Sequence, residues 1–180
     1  MSGGTLTWAP ALDRQDLLAE PVVATLREWP AAAEATVAEI DPTLADTAEF
    51  CAHYGIALAE SANCVVVAGK RGGEVSYAAC MILATTRADV NTVVRKRLAA
   101  RKASFAPMDD AVALTGMEYG GITPIGVPAD WPVLVDAAVA DAPWAVIGSG
   151  LRRSKLAVPG KALTTLPTAE VVEGLATPFE

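Results

Sequence analysis

The chain has 180 residues, enough for one domain with its own core and short for two. Hydrophobic residues make up 52% of it, yet no apolar run approaches the ~20 residues that cross a bilayer, and a formal charge of −7 excludes a protein that coats nucleic acid indiscriminately. Residues 1–69 hold ten acids against Arg14 and Arg27, whereas residues 70–161 hold twelve bases against eight acids, so the second half is where a polyanion is expected to bind.

The first ten residues show neither the basic start nor the apolar core of a secretion signal. Cys51, Cys64 and Cys80 are widely spaced, without a Cys-x-x-Cys pair, and read as buried thiols of a reducing compartment. The expectation is a cytoplasmic protein with no membrane contact, metal or cofactor.

In chain order, Asp13 to Trp29 reads as two helices, the first ending near Glu20 and Pro21 opening the second. Thr36–Ile40 alternates and leaves into Asp41-Pro42, which suits a strand. Asp46, with Glu49 three positions on, gives a cap-like start to a helix that Gly55 can close after Tyr54. His53, the single histidine, lies inside that helix and reads as packing or surface. Val65–Val67 and Val75–Thr85 are predicted to pair as a hairpin through Lys70-Arg71-Gly72-Gly73, the second strand central and buried on both faces.

Asp89 is predicted to cap a helix over Val90–Ala100, with Val93, Val94 and Leu98 inward and Arg95, Lys96 and Arg97 outward. The basic run from Arg95 to Lys102 suits either a solvated helix face or part of a polyanion site. Lys102–Ala106 follows as a strand, Met108–Leu114 as a helix closed by Gly116, and Trp131–Asp136, Trp144–Ile147 and Lys155–Val158 as strands. Thr168–Leu175 is predicted to be a closing helix. The sum is a single α+β domain over residues 1–180, with a mixed, largely antiparallel β-sheet and surrounding helices.

Between Thr115 and Gly126 the chain places four glycines and Pro124 in twelve residues. Glycine reaches positive φ without strain and admits a ligand to the backbone, while Pro124 stiffens the run and extends Thr123. The amides of Gly120, Gly121 and Ile122 can then form a concavity for an anion or carbonyl, the alternative being an ordinary tight turn. Familiar chemistries are absent. Gly69-Lys70-Arg71-Gly72-Gly73 lacks P-loop spacing and precedes a strand, Gly148-Ser149-Gly150 is no nucleophile elbow, and no dinucleotide fingerprint follows a strand.

The run Thr115-Gly116, then Gly120-Gly121-Ile122-Thr123-Pro124-Ile125-Gly126, followed by Val133-Leu134-Val135-Asp136 and the turn Gly148-Ser149-Gly150, resembles the YbaK/prolyl-tRNA-synthetase-associated domain family of aminoacyl-tRNA editing domains. The resemblance covers Cys64 to Leu163. It implies a trans-acting deacylase that takes the acceptor end of a mischarged tRNA and hydrolyses the aminoacyl ester. The carbonyl would lie against the backbone of Gly120 to Pro124 and water would attack with help from the terminal adenosine's hydroxyl. The implied site comprises Gly120, Gly121 and Asn63 at the chemistry, with Ile122, Thr123, Pro124, Asp136, Gly148, Ser149 and Gly150 around the substrate. Asp136 would anchor the loop or meet the substrate; alternatively it caps nearby amides at its strand end.

The chain departs from the family pattern at Asn63, where editing members usually carry a lysine. An asparagine offers a neutral donor and acceptor. It can serve a different amino acid, Lys70 or Lys155 can supply the cation, or hydrolysis can be lost and binding kept. The alternatives are therefore a non-catalytic tRNA-, nucleotide- or protein-binding relative, or a hydrolase of small esters, for which an uncharged rim would speak.

Overall fold

The computed structural model describes residues 3–179; Met1, Ser2 and Glu180, the outermost residues of the domain read from the sequence, lie outside them. Eleven strands are present among the described residues: β1 (Ala9–Pro10), β2 (Thr36–Glu39), β3 (Ala62–Arg71), β4 (Glu74–Leu83), β5 (Thr86–Ala88), β6 (Lys102–Phe105), β7 (Val133–Asp136), β8 (Ala145–Gly148), β9 (Ser154–Val158), β10 (Ala169–Val172) and β11 (Ala176–Pro178). They form a four-stranded sheet ordered β1-β2-β9-β8, a five-stranded sheet ordered β10-β7-β4-β3-β6, and the small pair β11-β5. Only β4–β7 and β7–β10 run parallel, so the architecture is α+β with mixed, mainly antiparallel sheets.

The hairpin of β3 and β4 is the backbone of the larger sheet. Its register, from Ala62↔Leu83 to Arg71↔Glu74, leaves only Gly72 and Gly73 in the turn, at φ 58° and 86°. Positive φ at both positions is the type I′ requirement, so Lys70 and Arg71 belong to the strand and not to a four-residue turn. From Ala78 to Ile82 strand β4 is buried on both faces, while Glu74–Ser76 beside the turn are exposed. Ala79 and Met81 join the main core with Leu26, Val135, Ile147 and Leu156, while Ala78, Cys80 and Ile82 join a second with Val94, Leu134 and Leu175.

A third cluster, around Phe50, Cys51, Ile56, Val146 and Ala157, packs the helix Thr47–Tyr54 against the smaller sheet. Gly55 closes that helix at φ 70°, and Gly116 closes the helix Met108–Thr115 at φ 67°. His53 lies in the former and meets the Tyr54 ring edge-on at 4.7 Å between centroids.

Three expectations from the sequence are corrected. Residues 168–175 form no helix. Val171 and Val172 belong to β10, which covers the edge of β7, and Leu175 turns into the second core. Ala11–Leu17 is a set of tight turns with Arg14 off helical geometry, and a continuous helix runs only over Glu20–Glu28, Pro21 in its first turn. In the Val90–Ala100 segment Asp89 caps the start through Thr92 N–H, but the first turn is widened, Val94 N–H donating to Asp89 O at 3.1 Å. Ordinary helix lasts only over Arg95–Arg97. Of the basic residues there, Arg97 pairs with Glu170 of β10. No helix among the described residues is long and apolar enough to cross a membrane.

Candidate functional site

The two sheets approach each other where β3 begins. Ser61 bridges Val146 in parallel fashion, after which β3 and β8 separate. In the β3–β4 ladder the odd-numbered residues face β4, as Ser61 O accepting from Ala84 N–H fixes, and Val66 O accepts from Ala106 on the opposite side. The amide and carbonyl of Cys64 therefore point away from β4, into the wedge between the sheets. β6 covers that edge only from Val67 onward.

The wedge is a cleft of about 330 Å³, walled by Asn63, Cys64 and Val65 of β3, Gly148 of β8, Lys155 of β9, Ala45 and Asp46 ahead of the helix and Thr47 at its start, and Tyr119, Gly120 and Ile122 of the glycine loop. The two glycine turns touch through their main chains. Gly150 N–H donates to Gly121 O at 2.7 Å and Glu118 N–H to Gly150 O at 2.9 Å. A Cβ on Gly148 would fall on the carbonyls of Gly121 and Ile122, 2.5 Å from the latter, so only glycine permits this approach.

Of the residues singled out in the sequence, Asn63, Gly120, Ile122 and Gly148 line the cleft. Gly120 stands at φ 79°. No backbone or side-chain partner holds the Gly120 or Ile122 amide among the described residues. Gly121 stands behind them, its amide closing the turn onto Glu118 O at 3.0 Å, so it is not a donor for a ligand.

Thr123 is buried and its N–H meets the Met117 sulfur at 3.5 Å, while Ile125 is fully buried. This draws the second half of the loop into the core and carries Pro124 to a separate groove with Thr25 and Gly126. Ser149 is also interior: its hydroxyl lies 2.7 Å from that of Ser154, which donates to Leu17 O. Gly150, at φ 87°, packs on Ala19 and Val22. Asp136 caps Ala138 N–H and holds Ala176 N–H, each at 3.0 Å. It fixes β11 and neither anchors the loop nor faces the cleft.

The cleft is lined by two charged residues, the exposed Asp46 and the buried Lys155. Lys155 donates from Nζ to Ala45 O at 3.0 Å and lies 5.1 Å from the centroid of the Phe50 ring. Burial lowers its pKa from 10.5 to about 8 against the opposing pull of Cys51 and Asp46. Lys70, the other lysine considered, sits at the far end of β3. Asn63 Oδ1 accepts from Thr47 Oγ1 at 2.7 Å, which orients its amide group.

At the rim, Arg152 ties the glycine loop to the opposite wall. It donates to Tyr119 O at 3.1 Å and Pro42 O at 3.2 Å, with Asp46 at 4.0 Å and the Tyr119 ring centroid 5.8 Å away. Tyr119 itself is half exposed. Thr47, Tyr119 and Arg152 carry no signal in the sequence, the first being an ordinary residue at a helix start and the other two ordinary residues in turns. Lys155 carried a signal: a lysine in the run Ser154-Lys155-Leu156-Ala157-Val158 has little chance of reaching solvent if that strand is buried on both faces.

The aminoacyl-tRNA editing domain matches residues 41–166, a span that includes every residue of the cleft wall. The chain belongs to this family. No curated protein matches the sequence of this chain. Solved structures that share its fold include the following three. A scaffold protein from computational epitope grafting gives a TM-score of 0.72 at 20% identity over 86% of this chain and 95% of that one. A protein described as a candidate trans-editing enzyme for prolyl-tRNA synthetase gives 0.71 at 19% over 85% and 93%. The hypothetical protein APE2540 gives 0.71 at 23% over 85% and 99%.

Proposed function

We propose that this editing domain is a trans-acting deacylase that hydrolyses the ester between a wrongly attached amino acid and the 3′ end of a tRNA. The observation that carries the reading is the meeting, in one cleft, of two closely packed glycine backbones with Asn63 and the buried cation of Lys155. With no histidine or serine nucleophile at the cleft, catalysis rests on positioning. Water adds to the ester carbonyl, the bond to the ribose oxygen breaks, and a proton from the water passes to that oxygen, leaving free amino acid and free tRNA.

The amides of Gly120 and Ile122 and the ammonium of Lys155 are the groups that can receive the developing oxyanion. One well-aimed donor is worth about 3 kcal/mol. In editing domains of this kind the terminal adenosine's hydroxyl assists the water, which fits a cleft whose one carboxylate, Asp46, is exposed at the rim beside Arg152. Tyr119 offers a ring on which the terminal base can stack. Lys155 supplies from β9 the charge that relatives carry at the position of Asn63, and Asn63, held by Thr47, turns its amide to the substrate.

The test is a panel of mischarged tRNAs incubated with the purified protein, following release of each amino acid. Release from one or a few of them supports the reading. The engagement of Asn63 Oδ1 by Thr47 favours a second reading, a member that binds the tRNA end without hydrolysing it. Binding of aminoacyl-tRNA with no release from any tRNA in the panel would establish that alternative.

A further inference from the structure

At the opposite end of β3 from the cleft lies a concentration of positive charge that the site does not use. Lys70 and Lys102 face each other directly in the β3–β6 register. Arg71 and Arg101 stand beside them, Arg101 N–H donating to Lys70 O at 2.9 Å. All four side chains are exposed around a groove of about 350 Å³ whose single acid, Glu74, is opposite Arg71 across the turn. Among the described residues no carboxylate forms an ion pair with any of the four. Like charges directly across a ladder weaken it, and a bound anion relieves that repulsion.

Geometry connects this tip to the cleft. Asn63 and Lys70 are seven positions apart on one strand, roughly 23 Å at ~3.3 Å per residue. Each strand of a nucleic-acid duplex carries closely spaced phosphates, so that distance spans a run of them and exceeds the reach of any small ester. β6 is the edge of its sheet, so no further strand obstructs a chain laid along that side. The exposed ring of Phe105, opposite Val67, lies on the way.

We propose that Lys70, Arg71, Arg101 and Lys102 form a docking site for the phosphate backbone of a tRNA acceptor arm whose aminoacylated end occupies the cleft. The inference rests on the deacylase reading for the position of that end, but binding tests it separately. Lys70→Ala/Lys102→Ala is compared with the unaltered protein for binding uncharged tRNA by fluorescence anisotropy across a salt series. Thermal melting serves as a folding control, and removal of the repulsion should leave the midpoint unchanged or raised.

The expected result is at least about tenfold weaker binding at 0.1 M salt and a log–log salt slope shallower by about two, with hydrolysis of a short aminoacyl-adenosine ester unaffected. Equal affinity and slope in the two proteins would overturn the proposal and leave an acidic protein surface as the patch's partner. Failure of the unaltered protein to bind tRNA would overturn it as well. Tip-dependent binding without hydrolysis of any mischarged tRNA would retire the deacylase and keep the docking site.

Discussion

The Gly150 amide donates to the Gly121 carbonyl at 2.7 Å, fastening two glycine turns that stand 29 positions apart in sequence into one wall. Their contact is main chain on main chain, so a single methyl separates them. Gly148→Ala would press on the carbonyls of Gly121 and Ile122, and Gly121→Ala would bring its Cβ to 2.7 Å from the Leu151 backbone. Each is expected to cost about 1–3 kcal/mol in urea unfolding, the usual penalty of overpacking, and to abolish deacylation. Unchanged stability in both variants would mean that the turns yield readily and do not depend on close backbone approach.

Asp136 separates a structural from a substrate-binding carboxylate. It accepts from Ala138 and Ala176 amides at 3.0 Å each and so holds the C-terminal β11 onto the domain. Asp136→Ala should lower stability by about 3 kcal/mol, from two hydrogen bonds to a charged acceptor, while the folded protein keeps its kcat/KM. A raised KM at unchanged stability would return Asp136 to the substrate.

Much of the fold is legible in the sequence, and the exceptions share a cause. Gly72-Gly73 between apolar runs, and Gly55 and Gly116 after helical patterns, carry information in their own conformational preference, so the hairpin and both helix ends follow locally. Ala169-Glu170-Val171-Val172 has no such marker, and its pairing depends on the open edge of β7, which only tertiary structure supplies. The site shows the same division. Asn63, Gly120, Ile122 and Gly148 reach the cleft from motif positions, whereas Pro124 and Ser149 are pulled inward by Ile125 and Ser154, contacts that no local pattern encodes.

Asn63 is tied to Thr47 by a bond of 2.7 Å, and that bond sets the outcome of altering either residue. Asn63→Ala is expected to reduce deacylation by roughly two- to tenfold, the equivalent of one neutral hydrogen bond at about 0.5–1.5 kcal/mol. Thr47→Val should give a smaller loss in the same direction, since it frees the Asn63 side chain without removing it. Steady-state kinetics on the best substrate of the tRNA panel would decide. A Thr47→Val loss larger than that of Asn63→Ala would show the hydroxyl, not the amide, to be the working group.

Lys155 is where stability and activity should part. Its folded pKa lies near 8 because burial disfavours the charged form, while the unfolded chain titrates near 10.5. Between those values the unfolded state binds more protons, so this group's contribution to folding improves as pH rises from about 8 to 10.5, by up to about 3 kcal/mol. The buried thiols act in the opposite sense. Desolvation raises Cys51 and pushes Cys80 up to about 12, so they ionise more readily once unfolded and cost stability at high pH. The Lys155 contribution is therefore read as a difference: unaltered protein minus Lys155→Met should gain about 2–3 kcal/mol between pH 7.5 and pH 10 in denaturant unfolding. In the same variant deacylation at pH 7 should fall by about 10²-fold, as for removal of an oxyanion donor, and deacylation by the unaltered protein should decline as pH rises through 8. A pH-independent stability difference would show that Lys155 titrates normally, and full activity in Lys155→Met would remove it from the chemistry.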